Sequence, residues 1–269
     1  MSYSPNRATA ITAIIVASAL GALLAHATGI GKASVTQADT QAAPGAVLVE
    51  LFTSEGCSSC PPADALLRQI EGKQTESGQL IIGISEHVTY WNQLGWSDPF
   101  SSDVYTERQD AYSQQFHLDS VYTPQMVING EEQIVGSDRG ALLRALREQK
   151  PHPIIVHINT VSAQDRALVV DFSITGNLPS DAADLFAAVT DDNAKSSVTR
   201  GENSGRTLAH VSVARSITRI AKVSSQTEQT IRIPLPSPST LTENQGRHLI
   251  LFAQAPDLGR VLGIDTKAF

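Results

Sequence analysis

The sequence predicts an α/β domain over residues 46–150, followed by a mostly-β, sandwich-like domain over residues 151–269. In the first part, short apolar runs alternate with helical patterns in the order β-α-β-α-β-β-α. The motif Pro151-His152-Pro153 then marks a boundary, and six or seven strand-like segments follow it without a long helical pattern. The length of 269 residues is also typical of two domains.

The residues at the N-terminus have the pattern of an export signal. Arg7 precedes an apolar segment that ends in Ala25-His26-Ala27, with small residues at the two positions that a signal peptidase reads. We expect residues 1–27 to form a signal peptide or an uncleaved anchor, and residues 28–45 to form a flexible leader. In either case the body of the protein is exported, to the periplasm or to the extracellular space.

Composition and charge argue against several classes of partner. The formal net charge is −7, and no run of Lys or Arg is longer than two residues. A chain of this charge is not expected to bind nucleic acid or to dock on anionic lipid. Residues 201–205 are glycine-bearing but lack the spacing of a dinucleotide-binding loop, and no flavin or phosphate motif occurs elsewhere, so we expect no cofactor.

The two cysteines of the chain lie three residues apart, between a predicted strand and a predicted helix. Residues 47–52 are apolar except for Glu50, residues 53–56 form a polar turn, and a helical pattern starts after Cys60. Unpaired N–H groups and the dipole at a helix N-terminus stabilise a thiolate, which is the form that attacks disulfides. We therefore predict that Cys57 is the attacking thiol and that Cys60 resolves the mixed disulfide. The alternative is a structural disulfide, although so short a loop constrains the unfolded chain little.

The residues beside the cysteines are expected to set the reactivity of the pair. The hydroxyls of Ser58 and Ser59 are placed to donate to a Cys57 thiolate, which would lower its pKa. Pro61 disfavours helical backbone at Cys60, so the helix is expected to begin at Pro61 or one residue later. Cys57 would then gain less from the helix dipole.

One acidic residue of the leading strand is a candidate base. Glu50 lies seven residues before Cys57. If Glu50 is buried among apolar neighbours, its pKa rises and it becomes a base for Cys60. The alternative is that Glu50 points to solvent on an alternating strand, without a role in the chemistry.

Residues 87–102 are dense in aromatic side chains and contain both tryptophans of the chain. One interpretation is a packed loop over the edge of the sheet. The other is an apolar substrate groove beside the cysteines, with a histidine that tunes or shuttles protons, because this segment follows the carboxyl end of the second strand. The candidate substrate-binding residues of this segment are His87, Tyr90, Trp91 and Trp96.

A Thr-Pro pair precedes the third predicted strand, and the motif Asn129-Gly130 after that strand is typical of a type I′ hairpin. Together with the cysteine motif, this layout resembles the thioredoxin superfamily, with the first three strands linked by right-handed crossovers. The resemblance implies that the Thr123–Pro124 bond is cis. It also implies that the backbone of Thr123 pairs with a bound substrate chain.

Longer strings resemble a secreted, thioredoxin-like bacterial family that is catalogued as domain of unknown function 1223. The resemblance covers roughly residues 46–264 and implies the fold and export, without an activity. By this resemblance, residues 201–210 are a regular feature of the family. They form either a loop that is presented to the first domain or to a partner, or a long hairpin turn. The strings are L-F-T-S-E-G-C-S-S-C-P-P-A-D, H-V-T-Y-W-N-Q-L-G-W-S-D-P-F-S-S, Y-T-P-Q-M-V-I-N-G, G-S-D-R, G-E-N-S-G-R-T-L-A-H and G-R-V-L-G.

The sequence therefore leaves three functions open. The first is thiol–disulfide exchange with protein or small-molecule thiols and disulfides, through Cys57 and Cys60. The second is handling of a soft metal such as Cu(I) by the same two thiolates, with His87 or Met126 as a third ligand. The third is a redox-silent interaction module with a structural disulfide. A closed zinc site is not expected, because the chain offers no second cysteine pair.

Overall fold

A computed structural model describes residues 45–179, 183–224, 226–237, 241 and 246–269. The protein has an α/β fold with a large mixed sheet and a second, antiparallel sheet. The predicted signal peptide, and the leader up to residue 44, lie outside the described residues. Within the described part of the chain, no helix has the length and apolar character that crossing a membrane requires.

The elements of the first part follow the predicted order, with one additional 3₁₀ turn at Asn92–Leu94. Helix α1 ends at Ile70, and the backbone turns into the left-handed region two residues later, at Gly72. The elements are β1 (Ala46–Thr53), α1 (Pro61–Ile70), β2 (Leu80–His87), α2 (Asp103–Gln115), β3 (Gln125–Ile128), β4 (Glu132–Val135) and α3 (Arg139–Glu148).

The second part is built from strands alone in its described residues, and each of the seven predicted segments forms one. They are β5 (Ile154–Gln164), β6 (Ala167–Gly176), β7 (Ala183–Ser197), β8 (Thr207–Val223), β9 (Thr227–Pro234), β10 (Arg247–Gln254) and β11 (Val261–Ala268).

The large sheet joins strands from both sides of the predicted boundary at Pro151. Its order is β11-β10-β7-β8-β2-β1-β3-β4, and β5-β6-β9 form the second sheet. Strands β1 and β2 are parallel, as a crossover requires, but β3 runs antiparallel to β1. The expected crossover into the third strand is therefore wrong. Strand β8 meets β2 at one parallel pair, Ser85 and Val213, so the two parts of the sheet diverge on either side of that pair.

Strand β1 lies inside the large sheet, and all eight of its residues are buried. One face packs against α1 and α3, where Val49 and Leu51 contact the helical leucines. On the opposite face, Leu48 belongs to a cluster that includes Tyr105 of α2. The alternation of side chains along β1 therefore decides which helix each residue contacts.

The turn between β3 and β4 has positive φ at both Asn129 (49°) and Gly130 (68°), which confirms the predicted type I′ geometry.

The second sheet packs against β7 and β10 through a continuous apolar core that includes Phe172, Leu185 and Leu251. Two sheets packed in this way form the sandwich-like part of the fold.

Candidate functional site

Cys57 and Cys60 form a disulfide between the end of β1 and the start of α1, with their Cα atoms 5.5 Å apart. Both cysteines are 0% exposed. Ser58 and Ser59 between them are exposed, and the Ser59 hydroxyl lies 3.3 Å from Cys57 Sγ. The loop between the cysteines therefore reaches solvent, whereas the sulfur atoms do not.

Helix α1 begins at Pro61, as predicted, and Cys60 is its N-cap residue. Cys60 has φ −76° and ψ −38°, so the expectation that Pro61 keeps it out of the helical region is wrong. The Cys60 carbonyl accepts hydrogen bonds from Ala63 N (2.8 Å) and Asp64 N (3.1 Å). These two bonds offset the local cost of helical backbone before a proline.

A loop from the second part of the chain covers the disulfide turn. We call residues 201–206, between β7 and β8, the covering loop. The side chain of Asn203 is fully buried, and its Nδ2 donates to Glu55 O and to Cys57 O, each at 2.9 Å. Its Oδ1 accepts from Arg206 Nη1 at 2.8 Å. The Asn203 amide thus binds the carbonyls of Glu55 and Cys57, and Arg206 fixes the orientation of the amide.

The covering loop also places a carboxylate on the disulfide turn. Glu202 Oε2 accepts a hydrogen bond of 3.0 Å from Ser58 N, and the Ser58 hydroxyl and then this N–H lower the pKa of Glu202. The carboxylate of Glu202 therefore holds the backbone of the exposed loop between the two cysteines.

The aromatic residues of the 87–102 segment pack against this turn from another side. Trp96 Nε1 donates to Glu55 Oε2 at 2.8 Å, and Trp91 Nε1 donates to Thr123 Oγ1 at 2.8 Å. Tyr90 is half-buried and donates to the Gln109 side chain at 3.2 Å. The segment forms a packed loop that contacts both the cysteine turn and the Thr123 loop.

The peptide bond between Thr123 and Pro124 is cis, as expected. A Cβ added to Gly136 would lie 3.1 Å from Pro124 Cβ and 3.2 Å from Ala63 Cβ. The proline is thus held against the first turn of α1. Thr123, which Trp91 binds, lies on the same side of the fold as the disulfide.

The structure does not bring Glu50 to the cysteines. Glu50 is buried, but its carboxylate accepts from Arg108 Nε and Tyr112 OH, both at 2.5 Å. Arg108 and Tyr112 belong to α2, on the face of β1 opposite to α1. Burial and then Glu50 raise the pKa of the neighbouring Glu86 well above its usual range.

His87 is fully buried rather than directed into a groove. Its Nδ1 lies 2.7 Å from Asp98 Oδ2, and its Nε2 lies 3.2 Å from Ser85 Oγ. Met126, the other ligand considered for Cu(I), lies in the core beneath α1 and α3. Among the described residues, no group of three or more His, Cys, Asp or Glu side chains is arranged to hold a metal ion.

A buried charged cluster beside the disulfide was missed at the sequence level. His210 of β8 lies with its Nε2 3.1 Å from Glu55 Oε1 and its Nδ1 3.7 Å from Asp64 Oδ1. Asp64 also accepts from Thr53 Oγ1 at 3.0 Å. Burial alone would lower the pKa of His210, but Asp64 and then Glu55 raise it to about 10. Asp64 lies one helical turn after Cys60, a spacing that could have indicated it.

Comparison with known proteins gives the family. The family model described as "Protein of unknown function (DUF1223)" matches residues 48–254. The chain belongs to the DUF1223 family. The matched region extends from β1 to β10, so it contains the disulfide, the covering loop and His210. No curated protein matches the sequence.

Two solved structures resemble this DUF1223 protein. The crystal structure of protein AGR_C_4864 from Agrobacterium tumefaciens has 26% sequence identity and a TM-score of 0.60. That match covers 82% of this chain and 92% of the other. HBP35 of Porphyromonas gingivalis has 14% identity and a TM-score of 0.60, with 82% of this chain and 74% of the other covered, which shows similarity of fold alone.

The substitution His210→Gln tests whether a protonated imidazole stabilises the site. The pKa of His210 in the folded protein lies above its usual value of 6.5. Its contribution to the free energy of unfolding is therefore complete below about pH 6.5 and is lost as the pH rises through about 10. We expect the destabilisation in urea unfolding to be largest near pH 6 and to shrink by roughly 1–3 kcal/mol toward pH 10.

His157→Gln is the matched control for this substitution, because the side chain of His157 is 63% exposed. It should show no comparable pH dependence. A His210→Gln destabilisation that stays constant, or grows, between pH 6 and pH 10 would contradict the protonated state of His210.

Proposed function

We propose that the protein is an exported, thioredoxin-like protein that performs thiol–disulfide exchange through Cys57 and Cys60. The observation that carries the proposal is the Cys57–Cys60 disulfide at the N-terminus of α1, directly after the central strand β1. The β-α-β-α-β-β-α order and the cis Thr123–Pro124 bond beside α1 also support it. Export is supported by the pattern of residues 1–27.

The exchange proceeds in two balanced steps. A substrate thiolate attacks Cys57 Sγ, the bond between the cysteines breaks, and Cys60 leaves as a thiolate. A second substrate thiolate then attacks the substrate sulfur of the mixed disulfide, which forms a substrate disulfide and releases the Cys57 thiolate. The protein gains two electrons, and two protons complete its dithiol. The reverse sequence reduces a substrate disulfide.

Access to the disulfide depends on the covering loop. Because both sulfur atoms are buried, attack on Cys57 requires Asn203 to release the carbonyls of Glu55 and Cys57. Thiol–disulfide exchange is therefore slow while the covering loop is closed, and it requires the loop to move away from the cysteine turn.

Single-cysteine variants test the proposed exchange. Cys60→Ser should form a stable mixed disulfide at Cys57 when it is incubated with bis(2-hydroxyethyl) disulfide, because no second thiol resolves the adduct. Cys57→Ser should react far more slowly, because the proposal assigns the attack to Cys57 and only the resolving step to Cys60. Intact-mass measurement of the adducts is the readout. Equal reactivity of the two variants, or no adduct in either, would refute the assignment.

The substitution Asn203→Ala tests the role of the covering loop. Without the two amide hydrogen bonds, the loop should open more often, and dithiothreitol should reduce the disulfide roughly tenfold faster. Ser204→Ala is the control in the same loop, because the Ser204 hydroxyl donates to Thr199 O and does not contact the cysteine turn. A rate for Asn203→Ala equal to that of Ser204→Ala would show that the loop does not limit access.

The burial of both sulfur atoms also favours a second candidate function. In that case the disulfide only clamps the turn against the covering loop, and the protein is a redox-silent interaction module. The two candidate functions predict different reduction potentials for the Cys57–Cys60 disulfide. A clamp remains oxidised in the native protein under thiol concentrations that reduce an exchanging pair.

A further inference from the structure

A cavity of about 390 Å³ lies beside the cysteine turn, between α1 and the start of β8. Pro61 and Pro62, the two residues that follow Cys60, form one part of its wall, and residues 206–209 form the other. This volume is within the range of small-molecule binding sites. The cavity adjoins the proposed exchange site, and the two exchange steps do not by themselves require it.

Two arginine side chains line the cavity from opposite walls. Arg68 Nη1 donates to Ala209 O at 2.7 Å, and Arg206 Nη1 donates to Asn203 Oδ1 at 2.8 Å. Each guanidinium carries five N–H donors, so most remain available to a ligand. Neither arginine forms an ion pair with a carboxylate of the described residues. The fixed hydrogen bond of each side chain also reduces the entropy that binding would cost.

The one acidic residue of the lining does not cancel this positive charge. Asp64 is 5% exposed, accepts from Thr53 Oγ1, and lies 3.7 Å from His210 Nδ1. Its carboxylate is therefore paired inside the protein. The cavity presents two cations on a chain whose formal net charge is −7.

We propose that this cavity binds the carboxylate groups of an anionic, low-molecular-weight thiol or disulfide, with Arg68 and Arg206 as the contacts. Planar guanidinium groups bind carboxylates through paired hydrogen bonds. This inference rests on the proposed function, because it names the substrate class of the same site. The bound thiolate attacks Cys57 Sγ, and Cys60 leaves as the thiolate when the bond between the cysteines breaks.

The position of Arg206 places the ligand next to the covering loop. Arg206 binds the Asn203 amide, and that amide holds the carbonyl of Cys57. A carboxylate that binds the remaining N–H donors of Arg206 leaves the bond to Asn203 in place. The ligand is therefore held beside the cysteine turn by a side chain that is already oriented.

Binding of S-methylglutathione to the oxidised full-length protein tests the cavity without any redox chemistry, because this probe has carboxylates but no free thiol or disulfide. Isothermal titration calorimetry should detect binding by the wild type and an affinity roughly tenfold weaker for Arg68→Gln. Arg144→Gln is the control, because Arg144 is an exposed arginine of α3 outside the cavity. No binding, or equal affinity in the two variants, would overturn the proposal.

A second measurement separates this inference from the proposed function. The reduced protein should react faster with glutathione disulfide than with the uncharged bis(2-hydroxyethyl) disulfide, and Arg68→Gln should lose only the preference for glutathione disulfide. Reaction with both disulfides at rates that Arg68→Gln leaves unchanged would overturn the anion site and leave the exchange function standing. Reaction with neither disulfide would refute the exchange function, and the calorimetry would still decide the cavity.

Discussion

The buried amide of Asn203 is the contact on which the candidate site depends. It hydrogen-bonds the carbonyls of Glu55 and Cys57, which lie more than 140 residues away in the sequence. Losing the amide would leave the buried Glu55 carbonyl without a partner among the described residues, at a cost of about 1–3 kcal/mol, whereas the Cys57 carbonyl would keep the longer bond of 3.3 Å from Cys60 N. The second part of the chain therefore completes the cysteine turn, through the covering loop that directly precedes β8.

Two buried charged clusters on opposite faces of the large sheet reinforce this arrangement. Beside α1, His210 of β8 lies between Glu55 and Asp64. Beside α2, Arg108 binds Glu50 of β1 and Gln254 of β10. Each cluster contains residues from both sides of Pro151. Breaking a buried ion pair by removing one partner costs about 3–5 kcal/mol. The pairs of His210 with Glu55 and Asp64 therefore tie the two parts of the chain together, and Arg108 adds a hydrogen bond to Gln254 across the same boundary.

Most of the elements could be predicted because their signals are local. Apolar periodicity located the seven strands after Pro151, and Asn129-Gly130 fixed the hairpin between β3 and β4. The cysteine motif located the site, since strand, turn and helix are adjacent in the sequence. The way in which β7, β8, β10 and β11 extend the same sheet has no such signal, because strand pairing across more than 100 residues depends on tertiary packing.

The partners of individual side chains were harder to predict than the elements. The burial of Glu50 was one of two expectations, and the structure agrees with it, but strand alternation directs the side chain to α2 rather than to Cys60. His210 carries no signal of its role in the sequence, because nothing in its neighbourhood indicates that it meets Glu55 across 155 residues. Local patterns thus locate the cysteine turn, whereas the charges around it depend on the register of β8.

We propose that the Cys57–Cys60 disulfide is an exchanging redox couple that the second part of the chain holds closed. The most direct test is its reduction potential, obtained by equilibrating the purified protein with glutathione buffers and counting the free thiols by mass after quenching. An exchanging couple predicts a midpoint above about −300 mV, which such buffers reach. A pair that stays fully oxidised through the most reducing buffer would contradict the claim and leave a structural clamp.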